Sequence, residues 1–248
     1  MLWTGGWDST YRIVELSRKS VAIQPVYCVD PGRGSTEYEI RAMESITAAL
    51  LNKPETKAAI YPLKIVKIED IPQNSDITQA YKAISQKTTL GSQYEWLARL
   101  AVEYRGIEIG IEKPNGEYSG CAEAIAECGR LIFEEDAYVI DKNASSAECA
   151  RLFGNFRFPI IDKTETQMVE NVKSWGCEDV MRLIWFCHSP INGVPCGYCR
   201  PCQQKMECSM QWLLPDKAKK RYRTFKKLSK ISPKLATKIS NLIYRKFK

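Results

Sequence analysis

Four cysteines within sixteen positions constrain this chain more than any other feature: Cys187-His-Ser-Pro-Ile-Asn-Gly-Val-Pro-Cys196-Gly-Tyr-Cys199-Arg-Pro-Cys202. The spacing C-x8-C-x2-C-x2-C lets adjacent thiolates wrap one ion, and Gly193, Pro195, Gly197 and Pro201 supply the turns. Four thiolates suit a closed, tetrahedral zinc site that is structural, because no position is left open for water. An iron–sulfur cluster is the rival, since CxxCxxC also occurs there. The Gly197-Tyr198 pair makes a knuckle-like turn and favours zinc over it. His188, the single histidine, is an alternative ligand or packs nearby, and its isolation argues against Ser/His and Cys/His mechanisms. Of the ten cysteines, Cys28, Cys121, Cys128, Cys149 and Cys177 sit among apolar or small residues and read as core, as does Cys208 on the helix after the cluster. The chain enters its first loop straight from Met1, with no secretory segment in front. Free thiols or metal ligands are therefore expected rather than disulfides, in a cytoplasmic setting.

The second feature lies at the other end. Thr4-Gly5-Gly6-Trp7-Asp8-Ser9-Thr10 follows a short apolar start and precedes an amphipathic run, which reads as strand, tight loop, helix. Gly5 and Gly6 permit close backbone approach and positive φ. Asp8, Ser9 and Thr10 are helix-start residues. The free N–H groups of such a start suit a phosphate. A capped turn with no ligand is the alternative at this point.

Between these ends, strands alternate with helices for about 160 residues. Helices are expected over 8–19, 36–51, 94–105, 121–133, 145–152 and 164–175, and strands over 21–29, 63–68, 107–111 and 156–161. Pro25 marks a start or irregularity in its strand. The alternation predicts an α/β fold with a doubly wound, mainly parallel sheet. Ligands of such sheets sit beyond the carboxyl ends of strands, where the Gly-Gly loop and the Asp30-Pro-Gly loop would share a rim. Three regions are expected: 1–175 as the α/β domain, 176–214 as a helical segment with the four-cysteine zinc site, and 215–248 as a basic tail.

The net charge of +7 hides that division. Residues 216–248 carry 13 Lys or Arg and one acid, leaving 23 − 28 = −5 for residues 1–215. Leu228, Ile231, Leu235, Ile239 and Leu242 follow three- and four-residue steps in the tail, and Pro233 divides it into two short helices. Such a segment can lie on an anionic membrane surface as a peripheral anchor, hold nucleic-acid phosphates, or dock on the acidic body. A homodimer is a further partner left open. No apolar run approaches a membrane span of roughly 18 residues.

The Gly-Gly-x-Asp-Ser loop and the C-x8-C-x2-C-x2-C cluster occur together in one family. The chain resembles the 7-cyano-7-deazaguanine synthases of queuosine biosynthesis, within the PP-loop ATP pyrophosphatases. Their loop reads Ser-Gly-Gly-x-Asp-Ser-Thr, and Thr4 keeps the hydroxyl of its first position. Asp30-Pro-Gly32, Glu39-Ile-Arg-Ala42, Phe158-Pro-Ile-Ile-Asp-Lys163-Thr-Glu165 and Ile184-Trp-Phe-Cys187 continue the likeness, which spans roughly residues 2–207. It departs in the substrate segment: Tyr118-Ser-Gly120 is present, but Cys121-Ala-Glu123 follows where the family has Asp-Cys-Arg. After the last cysteine Lys205 stands where the family has Arg.

The resemblance implies an adenine nucleotide alpha hydrolase-like domain of Rossmann type and an ATP-dependent carbon–nitrogen ligase. A carboxylate, 7-carboxy-7-deazaguanine or a relative, is adenylated, and ammonia then gives an amide and finally a nitrile. It implies ATP on Thr4, Gly5, Gly6, Asp8, Ser9, Thr10 and Asp30. Mg²⁺ falls to Asp8, charge neutralisation to Lys163, substrate to Tyr118, Ser119, Gly120 and Glu123, and Zn²⁺ to Cys187, Cys196, Cys199 and Cys202. A PP-loop enzyme acting on a tRNA base or a deazapurine conjugate is an alternative. A non-catalytic, zinc-stabilised module that binds nucleic acid or a partner is another.

Overall fold

In the computed structural model, described for residues 1–32, 34–114, 116, 120–208 and 210–231, the chain is a mixed α/β protein with short parallel strand pairs. The strands are β1 (Ala22–Ile23), β2 (Val26–Val29), β3 (Ala59–Ile60), β4 (Lys64–Lys67), β5 (Ile107–Glu108), β6 (Leu131–Glu134), β7 (Ala137–Ile140) and β8 (Phe156–Arg157). β1 pairs with β3, β2 with β4 and β5 with β8, all parallel, whereas β6 and β7 form an antiparallel hairpin. The expected strand over 21–29 is divided into β1 and β2 around Pro25, which brings no N–H to a ladder.

The N-terminal residues join these pairs. Leu2 bridges Val26 in parallel, Trp3 N donates to Val26 O (2.9 Å), and Leu2 N donates to Glu108 O (2.8 Å). Tyr138 bridges Phe158 on the far side. Hydrogen bonds therefore run edge to edge through β4, β2, Leu2, β5, β8, β7 and β6.

Ten α-helices lie among the described residues: α1 (Trp7–Ser17), α2 (Thr36–Leu51), α3 (Ser75–Ser85), α4 (Gln93–Glu103), α5 (Gly120–Cys128), α6 (Ala147–Phe153), α7 (Glu165–Ser174), α8 (Glu178–Met181), α9 (Arg200–Glu207) and α10 (Asp216–Ile231). Strand alternation divides them. Leu2, Val26 and Cys28 point into a core with α3, α4, α5 and α6, whereas Trp3 and Tyr27 point into a second core with α1, α2, α7 and α8. Neighbouring strand residues face opposite ways, so an apolar run such as Val26–Val29 has to be covered on both sides. The second core also holds Ile184 and Met210.

The helix expected over 121–133 ends at Cys128, and Leu131–Glu134 is a strand of the β6–β7 hairpin. Gly129 and Arg130 break the helical period, and the turn residue Glu135 takes positive φ. Helix α3 lies in a stretch where no helix was expected; Asn74 caps it by accepting from the Asp76 and Ile77 amides. Helix α7 starts as expected at Thr164, through a full capping box with Gln167.

Candidate functional site

The cysteine cluster is assembled as its spacing implies. The Sγ atoms of Cys187, Cys196, Cys199 and Cys202 all lie within 4.8 Å of one another, and all four residues are buried. The pairs Cys196–Cys202 and Cys187–Cys199 are each 3.9 Å apart. A tetrahedron with zinc–sulfur bonds of about 2.3 Å has edges of about 3.8 Å, so these two pairs already have the spacing that an ion such as zinc needs. Backbone amides support the sulfurs: Cys196 N donates to Cys187 Sγ (3.2 Å), and Tyr198 N and Cys199 N donate to Cys196 Sγ (3.4 and 3.2 Å). Gly197 makes the turn at φ +89°. His188 is exposed and outside the group of four thiols.

Helix α10 packs directly on this knuckle. Arg221 donates to the carbonyls of Cys196 and Pro195 (2.7 Å each), Ala218 is fully buried, and Phe225 lies against Tyr198. The start of the basic region is therefore docked on the chain. Its remainder, residues 232–248, with Pro233, Leu235, Ile239 and Leu242, lies outside the described residues.

The Gly-Gly loop lies between Trp3 and α1. Gly5 takes φ +67°, and a Cβ there would come within 3.0 Å of Glu39 O and 3.2 Å of the Met43 side chain. Its carbonyl accepts from Trp185 N (2.8 Å), two residues before Cys187, which ties loop to knuckle. Thr4 N and Oγ1 both reach Ser9 Oγ (3.3 and 3.4 Å). Thr10 is fully buried and accepts from Trp3 Nε1 (3.0 Å), so its hydroxyl braces the core.

Beside the loop is a cavity of about 180 Å³, bounded by Thr4, Gly6, Asp8 and Ser9 on one side and by Cys28, Tyr94, Trp96, Leu97 and Ile109 on the other. Gly110 closes its wall: a Cβ there would stand 3.0 Å from Ser9 N. A glycine inside the run Ile107–Ile111 is a legible sign of close backbone approach, and it was missed.

Asp8 meets the Glu112 carboxyl at hydrogen-bond range, with Lys205 and Glu165 as the other charges around it. Glu112 Oε2 is buried and meets no donor among the described residues. Burial raises Asp8 to about 6; Lys205 opposes that shift and Glu165 adds to it. Burial, then the Asp8 and Glu165 charges, push Glu112 up to about 8. Lys205 bonds Glu165 (3.4 Å) and lies 5.5 Å over the Trp7 ring. Glu112 and Lys205 were not expected at this site. Lys205 is delivered by α9, the helix that carries Cys202.

The other candidates make bonds of their own. Lys163 donates to Pro159 O (3.3 Å) and pairs with Asp162 (3.5 Å). Asp30 accepts from Gly32 N (2.8 Å), holding its own turn. Glu39 is buried and accepts from Tyr27 and Ser35 (2.7 Å each). Glu123 accepts from Thr89 N (2.9 Å) and Thr89 Oγ1 (2.5 Å), and Gly120 N donates to Thr89 Oγ1 (2.8 Å). These bonds fasten α5 to the segment around Thr89. Tyr118 and Ser119 lie outside the described residues. No helix of the described residues is long and apolar enough to cross a membrane. No family model matches this chain, and neither a curated protein nor a solved structure matches it.

Proposed function

We propose that the chain is an ATP-dependent ligase of the PP-loop type, adenylating a carboxylate for attack by ammonia or an amine. The observation that carries this reading is the Thr4–Ser9 loop opening on an apolar, aromatic-lined cavity with the Asp8–Glu112 pair and Lys205 beside it. We read the ladder from β4 through Leu2 to β8 as one doubly wound, Rossmann-type sheet, which puts the loop where such sheets bind ligands.

The cavity is smaller than the roughly 300–1,000 Å³ of sites that enclose a whole ligand. It takes the adenine against Tyr94, Trp96 and Leu97, while the phosphates lie over the loop amides as on an anion nest. The substrate carboxylate attacks the α-phosphorus, pyrophosphate leaves, and ammonia then displaces AMP from the acyl carbon. Mg²⁺ would be held by Asp8 and Glu112, whose unpartnered oxygen calls for a proton or a cation, and would neutralise phosphate charge. Lys205, whose charge acts on Asp8, supports the leaving pyrophosphate beside Lys163, of which that role is expected. The acceptor is 7-carboxy-7-deazaguanine or a related deazapurine carboxylate.

Pyrophosphate release from ATP, measured with 7-carboxy-7-deazaguanine and ammonia, tests this. Release is expected from the unaltered chain and should drop by about 10²–10³ in Asp8→Asn. No ATP-dependent release with any deazapurine carboxylate would sink the ligase reading. It would leave the zinc-stabilised binding module, which the basic face of α10 favours: eight Lys or Arg against Asp216 alone.

A further inference from the structure

Away from that site, a cavity of about 480 Å³ opens between the end of α3 and the start of α6. Lys87, Glu127, Cys128, Arg130, Ser146 and Glu148 are on its wall, so it presents both signs of charge around one thiol. The thiol was expected in the core, but Cys128 is half-buried and faces this space. Its sulfur donates to Ala124 O (2.9 Å), and the Cys149 and Ser146 side chains are its other polar neighbours. Cys149 is fully buried behind it, and a Cβ on Gly129 would stand 2.9 Å from the Cys149 sulfur.

We propose that Cys128 and Cys149 form a redox-active dithiol that reacts with small zwitterionic disulfides of the glutathione type entering this cavity. The accessible thiolate of Cys128 attacks one sulfur of the incoming disulfide, and one small thiolate leaves. Cys149 then gives up its proton and attacks Cys128 Sγ, expelling the second small thiolate. One disulfide is formed in the protein, one is reduced to two small thiols, and the two protein protons go to those thiols. The division of labour follows from position. Cys128 lies at the cavity with two donors favouring its thiolate, which lowers its pKa. Cys149 faces Cys128 and is shut in the core, which in that order raise its own. Lys87 and Arg130 suit the carboxylates of such a ligand and Glu127 and Glu148 its ammonium. This is independent of any activity at the Gly-Gly loop.

The test treats the full zinc-loaded chain with oxidised glutathione and maps the products by peptide mass spectrometry. The expected product is the Cys128–Cys149 disulfide, with loss of both free thiols. Cys149→Ala should stop at a mixed disulfide on Cys128, and Cys128→Ser should yield neither. A Cys128 that stays reduced while Cys208 or the zinc cluster oxidises overturns the proposal, as does a mixed disulfide that persists on Cys128 in the unaltered chain. A second measurement needs no variant: in brief alkylation with iodoacetamide, Cys128 should be labelled before Cys208, the other half-buried thiol, and the opposite order overturns it equally.

Discussion

Burial holds the Asp8 and Glu112 carboxyls at about 6 and about 8, above ordinary values of 3.8 and 4.5. The folded chain therefore binds more protons than the unfolded one from about pH 4 to 8, and its stability falls as pH rises through that window. Glu112→Gln removes the larger raised group. Its melting temperature should exceed that of the unaltered chain near pH 8 and match it near pH 4. Thermal unfolding across that range, without added Mg²⁺, measures this; parallel curves for both chains would contradict it. Gly110 makes a prediction of another kind. A methyl group there meets the Ser9 amide at 3.0 Å, and the loop has to move. Gly110→Ala should cost about 1–3 kcal/mol in denaturant titration and weaken any ligand bound at the loop.

Elements are joined by a few polar clamps. Arg12, on α1, is almost wholly buried and bonds Glu108 on β5 through Nε (3.0 Å) and Nη2 (2.7 Å), Glu15 (2.6 Å) and Asp136 at the β6–β7 turn (3.2 Å). Removing one partner of such a cluster leaves buried charge behind. Arg12→Ala should destabilise by about 3 kcal/mol, the low end for buried pairs because Glu15 and Glu108 keep some water contact; urea unfolding checks it. At the other end, α10 lies so close to the knuckle that a Cβ on Gly197 would fall 2.2 Å from Ala218 O. Gly197→Ala should release α10. Limited proteolysis should then cut residues 216–231 faster while the α/β body stays resistant, and unchanged cleavage would show that the turn tolerates the methyl group.

At the scale of the molecule, the knuckle and the Gly-Gly loop are one mechanical unit. Trp185 N on Gly5 O, Tyr38 stacked on Trp185 (4.5 Å) and Lys205 over Trp7 connect them. If the cluster holds zinc, stripping it with a chelator should expose four reactive thiols, undock α10 and disorder Lys205 together. Thiol titration and circular dichroism report the first two. If the loop binds ATP, its affinity should fall with them, and intact nucleotide binding in the zinc-free chain would show that the two ends are uncoupled.

Much of this was legible along the chain. Residues 36–51 announced α2 to the residue because apolar positions recur at helical spacing, and the cysteine spacing located the four-thiol cluster that could hold a metal because its members are neighbours in sequence. The Gly-Gly loop was legible as a turn into a helix for the same local reason. The β6–β7 hairpin was not, since Leu131–Glu134 is mostly exposed and lacks a buried face to mark it. Nor was the pairing of Asp8 with Glu112, Glu165 and Lys205, which come from four separate segments. Local pattern and short-range ligand spacing are written in the sequence because their partners lie within a few turns of each other. Which charges meet in a buried site, and which thiol faces a cavity, depends on how distant segments pack, and only the tertiary structure decided that.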